Sequence, residues 1–470
     1  MTKHFDVAII GSGFSGSTLA WILAAQGRSV AIIDPVSHPR FAIGESSTPI
    51  ADLLLRRLGE TYGLSELEQL SSYGSWQQHQ PQLACGRKRG FTYYVHEPDR
   101  DFNDTADHQR SLMVAASASD SVADTHWYRR DVDQFLFGQA IAAGTESYLG
   151  HLVLGIQPDR PNRISLSQGR LITADWIIDA SGRAGVTAGL LQQEDLSGKL
   201  MTNTRSVFAH YRGVRSWRDM LIDRRFSTRQ DPFNTDDSAQ HHLYGDGWVW
   251  MLRFNNGITS VGWTSNNSAP SLEITSRYPS IESLLRDAEL VEPAGGPTTT
   301  DRLQRLFHPI VTPRCLMLPA TACTIDPIHS TGIAHSLAGV RRIAGIVLNG
   351  ETPQQYAASL LQEARLLDRL VSTAYGTMHD FPRFTAACML YFAAAIACEE
   401  RILSGENPTC LWNTDDERFV RMVNACCDAL MNDPSTPQVI DQVRGGIQPW
   451  NTAGLMNPSV NNRYAYTATK

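Results

Sequence analysis

The fold is decided by the stretch FDVAIIGSGFSG at Phe5–Gly16, followed one helix later by VAIID at Val30–Asp34. Both apolar runs are rich in β-branched residues and therefore predict β-strands. The residues Thr18–Gln26 between them have helical spacing and are followed by a glycine. Strand, glycine turn, helix, strand and acid in this order are typical of a dinucleotide-binding fold.

The glycine turn carries its three glycines at the spacing that a bound pyrophosphate requires. Gly11 permits the tight turn, Gly13 lets the backbone approach the phosphates, and Gly16 lets the helix pack on the strand. The start of the helix adds free N–H groups and the positive end of the helix dipole. Asp34 stands where a carboxylate accepts a ribose hydroxyl. We therefore expect cofactor contacts at Gly11, Gly13, Phe14, Ser15, Gly16 and Asp34.

The composition excludes several classes of protein. The chain has 470 residues, enough for two or three domains or lobes, and 42% of them are hydrophobic. Its net charge of −7 and its lack of a basic block argue against a nucleic-acid partner. We find no apolar run near the roughly eighteen residues of a membrane span, and expect a cytoplasmic protein without a membrane partner. The eight cysteines have no zinc-site spacing, so we expect reduced thiols and no metal site.

Four further segments follow the glycine turn: Gly44–Pro49 (GESSTP), Tyr128–Asp133 (YRRDVD), Ile178–Arg183 (IDASGR) and Ile325–Gly332 (IDPIHSTG). In this order the five motifs resemble the flavin-dependent halogenase family, the tryptophan-halogenase-like branch of the FAD monooxygenases. The resemblance covers roughly residues 5 to 343 and implies FAD as the cofactor. Because the chain has no second dinucleotide fingerprint, we expect a separate flavin reductase to supply the reduced FAD.

The resemblance also implies a role for each matching residue. Gly44, Glu45 and Ser46 match a strap over the flavin, and Arg129 matches the arginine near the FAD phosphates. Asp179 and Gly182 match the segment that closes on the cofactor. The loop facing the flavin ring, which in halogenases binds halide through backbone amides, corresponds to Asp326, Ser330, Thr331 and Gly332. From the residues themselves, Asp326 followed by a proline also predicts a helix cap, and both interpretations are compatible.

On this basis we expect an α/β fold. It combines a Rossmann-like FAD-binding domain of the glutathione-reductase type, an antiparallel β-sheet substrate lobe and a helical C-terminal region. We place the discontinuous FAD domain at residues 1–200 and 303–350, with β insertions near 85–125. The substrate lobe then spans 201–302 and the helical region 351–470. We predict loops at Ser71–Pro81 and Asp223–His242, and a partly loose tail over Pro434–Lys470.

Two candidate catalytic residues stand out. Lys88 precedes a predicted strand, where the family has its catalytic lysine, although a solvated lysine between two arginines is the alternative. Glu45 in the strap is the second candidate. His126, His210 and His329 are weaker candidates for a general base.

The sequence departs from the family pattern in three places, one of which is the loop before Lys88, longer than expected for a halogenase. The usual Gly-Asp before the Asp-Pro is replaced by Pro319–Cys323, which weakens the expected hold on FAD. Trp248 and Trp250 of the family signature are kept, but Arg253 stands where the family has proline. We expect Trp248 and Trp250 at the substrate, although residues two apart also share one face of a sheet.

Four functions are compatible with these residues. We prefer an FAD-dependent monooxygenase that hydroxylates an electron-rich aromatic ring, such as a phenol or an indole of free or peptide-borne tryptophan. The first alternative is a halogenase, with halide at Ser330–Gly332 and Lys88 guiding the oxidised halogen. The others are a reductase resembling the geranylgeranyl reductases, and a non-catalytic flavin-binding assembly protein.

Overall fold

The computed structural model describes residues 2–266, 270 and 272–465. Its strands are β1 (Lys3–Ile10), β2 (Val30–Asp34), β3 (Cys85–Lys88), β4 (Gly90–Val95), β5 (Ser111–Ala115), β6 (Asp124–Trp127), β7 (Glu146–Leu149), β8 (Val153–Gln157), β9 (Asn162–Leu166), β10 (Leu171–Asp179), β11 (Glu194–Asp195), β12 (Thr204–Arg212), β13 (Ala239–Tyr244), β14 (Gly247–Arg253), β15 (Ile258–Asn266), β16 (Glu289–Glu292), β17 (Thr298–Thr299), β18 (Arg305–His308), β19 (Val311–Thr312), β20 (Cys315–Met317), β21 (Cys323–Thr324) and β22 (Arg463–Tyr464).

The α-helices of the described residues connect and cover these strands. They are α1 (Phe14–Ala25), α2 (Pro49–Tyr62), α3 (Ser65–Gln69), α4 (Tyr73–His79), α5 (Arg129–Ala142), α6 (Val186–Leu190), α7 (Trp217–Asp223), α8 (Pro279–Leu285), α9 (Pro319–Ala322), α10 (Gly332–Asn349), α11 (Pro353–Thr377), α12 (Phe381–Leu403), α13 (Glu417–Asn432) and α14 (Thr436–Ile447). The α/β class that the sequence predicts is confirmed.

The first sheet is the dinucleotide-binding sheet. Its strand order is β19-β20-β10-β1-β2-β7, and β1 lies parallel to both β10 and β2. In register, Ile10 at the end of β1 lies beside Ile33 on one side and Asp179 on the other. The carboxyl ends of three strands therefore meet at the glycine turn, which is where an open α/β sheet binds its ligand.

The second sheet has the order β16-β12-β15-β14-β13-β4-β5-β22 and is antiparallel except at the pairs β13–β4 and β22–β5. It combines the strands of the 201–302 region with β4 and β5, which we had placed as insertions in the FAD domain. It also contains β13, which forms where we expected a loop over Asp223–His242. That expectation was wrong because the polar side chains of β13 are buried and bonded within the fold, as Gln240 and His241 show.

Several other element bounds differ from those predicted. Helix α1 begins at Phe14 rather than at Thr18, with Gly13 as its N-cap. The expected loop at Ser71–Pro81 contains helix α4, whose N-terminus is capped by the Ser72 hydroxyl. The expected loose tail contains α14 and β22, while its last five residues lie outside the described part of the chain.

The helical C-terminal region packs around α12. We expected no segment long and apolar enough to span a bilayer, but α12 meets that criterion by length and composition. Nearly all of this helix is buried inside the fold, as for the core helix of a globular protein. Its burial therefore explains its composition.

A buried ionic cluster fixes α10 to α11 and to the loop before α13. The Glu363 carboxylate accepts two hydrogen bonds from Arg342, at 3.0 and 2.6 Å, and one from the Leu411 N–H at 2.6 Å. His335 lies 3.1 Å from the same carboxylate. Burial raises the pKa of Glu363, but its contacts with Arg342 and His335 lower it to about 2. The cluster holds the helix that begins at the predicted flavin loop.

We expect Glu363→Ala to lower the free energy of unfolding by about 3–5 kcal/mol, because it leaves the Arg342 guanidinium buried without its partner. The exposed Glu417–Arg421 pair on α13 supplies the control, and Glu417→Ala should cost less than about 1 kcal/mol. The free energies of unfolding of both variants are measured by urea denaturation at pH 7. Equal losses in the two variants would contradict a central role for the cluster.

Candidate active site

The glycine turn has the shape of a phosphate cradle. A Cβ built on Gly11 would lie 2.4 Å from the Ala180 carbonyl oxygen, and one on Gly16 would lie 2.2 Å from the Gly11 carbonyl oxygen. These two glycines are required by the packing of the protein itself. A Cβ on Gly13 would meet no described atom nearer than 3.8 Å. The space above Gly13, at the uncapped start of α1, is therefore left for a ligand.

Arg129 joins this cradle to the Gly44–Pro49 segment, which we call the strap. Its guanidinium forms a bidentate pair with Asp133, at 2.6 and 2.8 Å, and donates to the carbonyl oxygens of Ile43 and Gly44. It also stacks on the Phe14 ring, with 4.5 Å between the guanidinium carbon and the ring centroid. The residues predicted at the phosphate end of FAD are thus brought together. A Cβ on Gly13 would lie only 3.9 Å from the guanidinium.

Asp34 lies at the end of β2 beside the glycine turn, as the sequence predicts. Its carboxylate accepts hydrogen bonds from the Ser12 N–H and hydroxyl and forms a bidentate pair with Arg40. Although burial raises the pKa of Asp34, the bonds from Arg40 and the backbone hold it below its usual value. A ribose hydroxyl would share this carboxylate with Arg40, a residue that sequence reasoning did not single out.

The segment Ile178–Arg183 (IDASGR) faces the cofactor side with its backbone, because its Asp179 side chain is bonded within its own turn. The buried Asp179 carboxylate accepts from the N–H groups of Ser181 and Thr187 and from the Thr187 hydroxyl, so it shapes the turn after β10. Gly182 lies in this turn with a φ of +58° and open space where a side chain would stand. Its N–H donates to Thr321 in the segment that replaces the family Gly-Asp.

Glu45 is part of a buried charge cluster that anchors the strap. Its carboxylate lies 2.7 Å from His210 Nε2, and the other ring nitrogen lies 2.8 Å from Glu292. Glu292 in turn accepts from the Tyr128 hydroxyl and from Arg130. Burial lowers the pKa of His210, but the two carboxylates outweigh it and raise this pKa to about 9. The imidazole is therefore a cation at neutral pH and not a general base.

Lys88 is completely buried, which excludes the alternative of a solvated lysine. Its ammonium donates to the Ser47 carbonyl oxygen of the strap and lies 3.9 Å from the centroid of the Phe91 ring. The neighbouring Arg87 and Arg89 point elsewhere and pair with Asp120. The strap therefore links the predicted phosphate site to the predicted catalytic lysine.

The loop Asp326–Gly332, which we call the flavin loop, ends at the N-terminus of α10. Asp326 caps the short 3₁₀ turn at Pro327–His329, as predicted, through its contact with the Ile328 N–H. Its carboxylate also accepts from the hydroxyls of Thr204 and Tyr375, and burial raises its pKa to about 6. Asp326 therefore positions the loop, with its side chain bonded within the protein.

The end of the flavin loop offers backbone donors. Ser330 adopts a left-handed conformation with a φ of +54°, and Thr331 is the N-cap of α10 without a side-chain bond to the helix. The first N–H groups of a helix have no intrahelical acceptors and carry the positive end of its dipole. With α10 beginning at Gly332, Thr331 and Gly332 thus lie at a site suited to an anion.

Trp248 and Trp250 lie on one buried face of β14. The Trp248 indole donates to the Tyr375 hydroxyl at 2.7 Å, and the Trp250 indole donates to Ser260 at 3.2 Å. Arg253 donates to the carbonyl oxygens of Val214 and Arg215. Both tryptophans are thus bonded within the fold, and the substituted signature position faces a loop.

His329 was only a weak candidate in the sequence, yet it lies at the centre of the site. It is fully buried, neither ring nitrogen has a hydrogen-bond partner among the described residues, and burial lowers its pKa to about 3. Its ring stacks on Tyr391 of α12 with 4.3 Å between centroids. Tyr391 lines a narrow pocket together with Thr48 of the strap and Phe91, which contacts Lys88.

His126, the third histidine considered as a general base, is bonded to the protein backbone. His126 is fully buried, its Nε2 lies 3.1 Å from the Ser238 carbonyl oxygen, and burial lowers its pKa to about 3. It stands opposite Ser46 in an isolated β-bridge between β6 and the strap. The Ser46 hydroxyl itself is buried and has no partner within the described ranges. An unpaired buried hydroxyl in the strap fits a segment that lies against a bound cofactor.

Comparison with known proteins supports the cofactor assignment. Residues 6–246 match the model of the family described as FAD dependent oxidoreductase. Monodechloroaminopyrrolnitrin halogenase PrnC of Pseudomonas fluorescens is 29% identical over 86% of this chain and 73% of its own length. Tetracycline 7-halogenase of Kitasatospora aureofaciens is 28% identical over 86% of this chain and 76% of its own.

The fold also matches solved structures. The crystal structure of halogenase PltM in complex with phloroglucinol and FAD superposes with a TM-score of 0.86, covers 98% of this chain and 99% of that one, and is 24% identical. The predicted resemblance to flavin-dependent halogenases, the FAD cofactor and the oxidoreductase class are confirmed. The curated relatives named above are halogenases, so the comparisons favour our halogenase alternative over the hydroxylase that we preferred.

We expect Gly13→Ala to leave the fold intact and to weaken FAD binding by about tenfold or more, because the added methyl group occupies the space for the phosphates. Gly16→Ala should instead lower the unfolding temperature of the cofactor-free protein, because its Cβ meets the Gly11 carbonyl. Fluorescence titration with FAD and thermal unfolding separate the two effects. FAD binding at wild-type strength by Gly13→Ala would place the phosphates elsewhere.

The charge on His210 should make stability depend on pH. Because its folded-state pKa of about 9 lies above the ordinary 6.5, its contribution is complete below about pH 6.5 and lost as the pH rises through about 9. We expect the urea midpoint of the cofactor-free protein to fall over this range. His210→Gln should remove that step, and a variant with the wild-type pH profile would contradict the assignment.

Proposed function

Because the chain belongs to the FAD dependent oxidoreductase family, we propose that it is a flavin-dependent halogenase that acts on an aromatic substrate. The observation that carries this proposal is the burial of Lys88 between the strap and the Phe91 ring. A lysine ammonium is costly to bury, and most lysines of folded proteins are exposed. Its position beside the strap and the pocket fits a functional cation.

The start of α10 suits the halide. Thr331 and Gly332 present backbone N–H groups at the positive end of an eighteen-residue helix. Since the carboxylate of Asp326 is bonded to Thr204 and Tyr375, it does not compete for these donors. One narrow pocket is lined both by Tyr391, which stacks on His329 of the flavin loop, and by Phe91, which contacts Lys88.

The cradle, the strap and the flavin loop would hold the cofactor, with phosphates at Gly13 and Arg129 and the ring toward Ser330. When bound and reduced, FAD supplies two electrons to O₂, which takes two more from the halide and leaves as two molecules of water. The protein excludes water from the path to the substrate and holds the Lys88 ammonium along it. In the product, a carbon–halogen bond replaces one ring carbon–hydrogen bond.

The relatives support halogenation without naming a substrate for this chain. One curated relative is named for monodechloroaminopyrrolnitrin and another for tetracycline, compounds of very different size. Hydroxylation is the competing outcome, and the sequence supports it through Arg253, which replaces the proline of the halogenase signature. Because Arg253 bonds to the carbonyl oxygens of Val214 and Arg215, its presence no longer supports hydroxylation. A separate flavin reductase as the source of reduced FAD is part of this proposal.

The direct test supplies the purified protein with FAD, a flavin reductase, NADH, O₂ and chloride or bromide, together with a panel of phenols, anilines, pyrroles and indoles. Mass spectrometry identifies the product. We expect a gain of halogen. A gain of oxygen in the presence of halide would replace the proposal by hydroxylation.

Lys88→Met should lower the rate of product formation about a hundredfold or more, because it removes the buried cation and keeps the length of the side chain. The FAD dissociation constant should change little, since Lys88 contacts the strap at Ser47, whereas Arg129 contacts it at Gly44. Lys88→Arg serves as the matched variant that keeps the charge and changes its shape. Full turnover by Lys88→Met with bound FAD would remove Lys88 from the mechanism.

A further inference from the structure

A cleft of about 370 Å³ lies between the ends of α2 and α10, the start of α11 and the loop after α12. Its lining residues do not belong to the glycine turn, the strap or the flavin loop, so it is separate from the groups assigned to FAD, halide and Lys88. Its volume falls within the range of small-molecule sites, about 300–1,000 Å³. We call it the arginine cleft, because Arg57, Arg341 and Arg342 line it.

The three arginines differ in how their charges are balanced. Arg342 forms a bidentate ion pair with Glu363, at 3.0 and 2.6 Å. Arg57 donates to two backbone carbonyl oxygens, one in the last turn of α12 and one in the loop after it. Arg341 donates to another carbonyl oxygen of that loop, at 3.0 Å. Within the described ranges, neither Arg57 nor Arg341 has a carboxylate partner.

The unbalanced charge is costly because part of it is buried. The Nε atoms of Arg341 and Arg342 are buried and have no hydrogen-bond partner among the residues that the structure describes. Burial, and next the neighbouring Arg342, lower the pKa of Arg341 to about 10. A cation that is desolvated without an anionic partner costs free energy, and an anion bound beside it offsets that cost.

The remaining lining is polar and carries little negative charge. Glu351 is the one acidic residue that lines the cleft in the described part of the chain. Its carboxylate lies over α10, where a Cβ built on Gly345 would meet it at 2.4 Å. Neutral hydroxyl and amide side chains supply much of the rest: Thr61, Asn349, Gln355 and Ser359. Such groups suit a ligand that carries hydroxyl groups of its own.

Two guanidinium groups without carboxylate partners match a dianion better than a single negative charge. A phosphate monoester carries a charge of about −1.5 to −2 at pH 7 and offers three acceptor oxygens. Guanidinium groups also match the geometry of phosphate oxygens. A free phosphate ion would fill only part of this volume, so the rest is left for an organic group.

We propose that the arginine cleft binds a phosphate monoester of a small hydroxylated compound. The phosphate lies between Arg57 and Arg341, and the hydroxyl groups of the ligand face the amides and hydroxyls of α2, α10 and α11. Arg342 borders the same space and is fixed by Glu363, so it presents a rigid edge to the ligand.

The test is isothermal titration calorimetry of ribose 5-phosphate into the FAD-saturated protein. Saturating FAD occupies the glycine turn, so the heat of binding reports a second site. We expect one further molecule to bind with a Kd below about 1 mM. Ribose, which lacks the phosphate, and succinate, whose two charges stand apart, should bind at least about tenfold more weakly.

Three variants separate a binding role from a structural one. Arg341→Gln should weaken the binding of ribose 5-phosphate by about tenfold or more, because it removes a charge-assisted donor. Glu351→Gln should strengthen it by about threefold, because it removes the acid that faces the phosphate. Arg421→Gln changes the exposed partner of Glu417 on α13 and should keep the wild-type Kd. A merely structural role does not predict the opposite signs of the first two changes.

Thermal unfolding of the same FAD-saturated proteins gives a second readout. At about a hundredfold its Kd, ribose 5-phosphate should raise the unfolding temperature of the wild type by about 2–3 °C and leave that of Arg341→Gln unchanged. Should Arg341→Gln fail to fold, the gain in affinity of Glu351→Gln, whose side chain is exposed, decides the question.

Three results would overturn the inference: no binding by the wild type, ribose or succinate bound as tightly as ribose 5-phosphate, or the wild-type Kd in both Arg341→Gln and Glu351→Gln. Neither measurement involves product formation. The outcome is therefore independent of whether the protein halogenates an aromatic ring.

Discussion

The geometry of this protein depends on one buried cation, the His210 imidazolium, held between the carboxylates of Glu45 and Glu292. Glu45 belongs to the strap of the nucleotide-binding part, while His210 and Glu292 belong to paired strands of the second sheet. A buried charge that loses its partner costs several kcal/mol, so the three residues stay together or the strap is released. The contact therefore fixes the distance between the cofactor cradle and the sheet that carries the rest of the site.

Through the strap, this contact reaches both ends of the site. Arg129 holds the start of the strap by the carbonyl oxygens of Ile43 and Gly44, and Lys88 donates to the carbonyl oxygen of Ser47. Lys88 is further constrained because Asp124 lies directly opposite it in the β3–β6 ladder, where side chains share a face. The buried Lys88 is thus held by the same strap that Arg129 contacts on the cofactor side of the molecule.

The sequence predicts the local parts of this arrangement well. The glycine turn, Asp34 and the cap at Asp326 depend on spacing within a few residues, and the structure places each of them as expected. The His210–Glu292 contact joins positions with no shared pattern, so it could not be predicted. Strand β13 was missed because a run of buried but bonded polar residues resembles a loop in sequence.

The kept and the replaced positions of the tryptophan signature have different structural consequences. Trp248 donates to Tyr375, whose hydroxyl donates to Asp326, and this chain of hydrogen bonds sets the position of the flavin loop. Arg253, the last residue of β14, turns outward to hold the Val214–Arg215 segment. The kept Trp248 therefore supports the flavin loop, and the replaced position supports a different segment, Val214–Arg215.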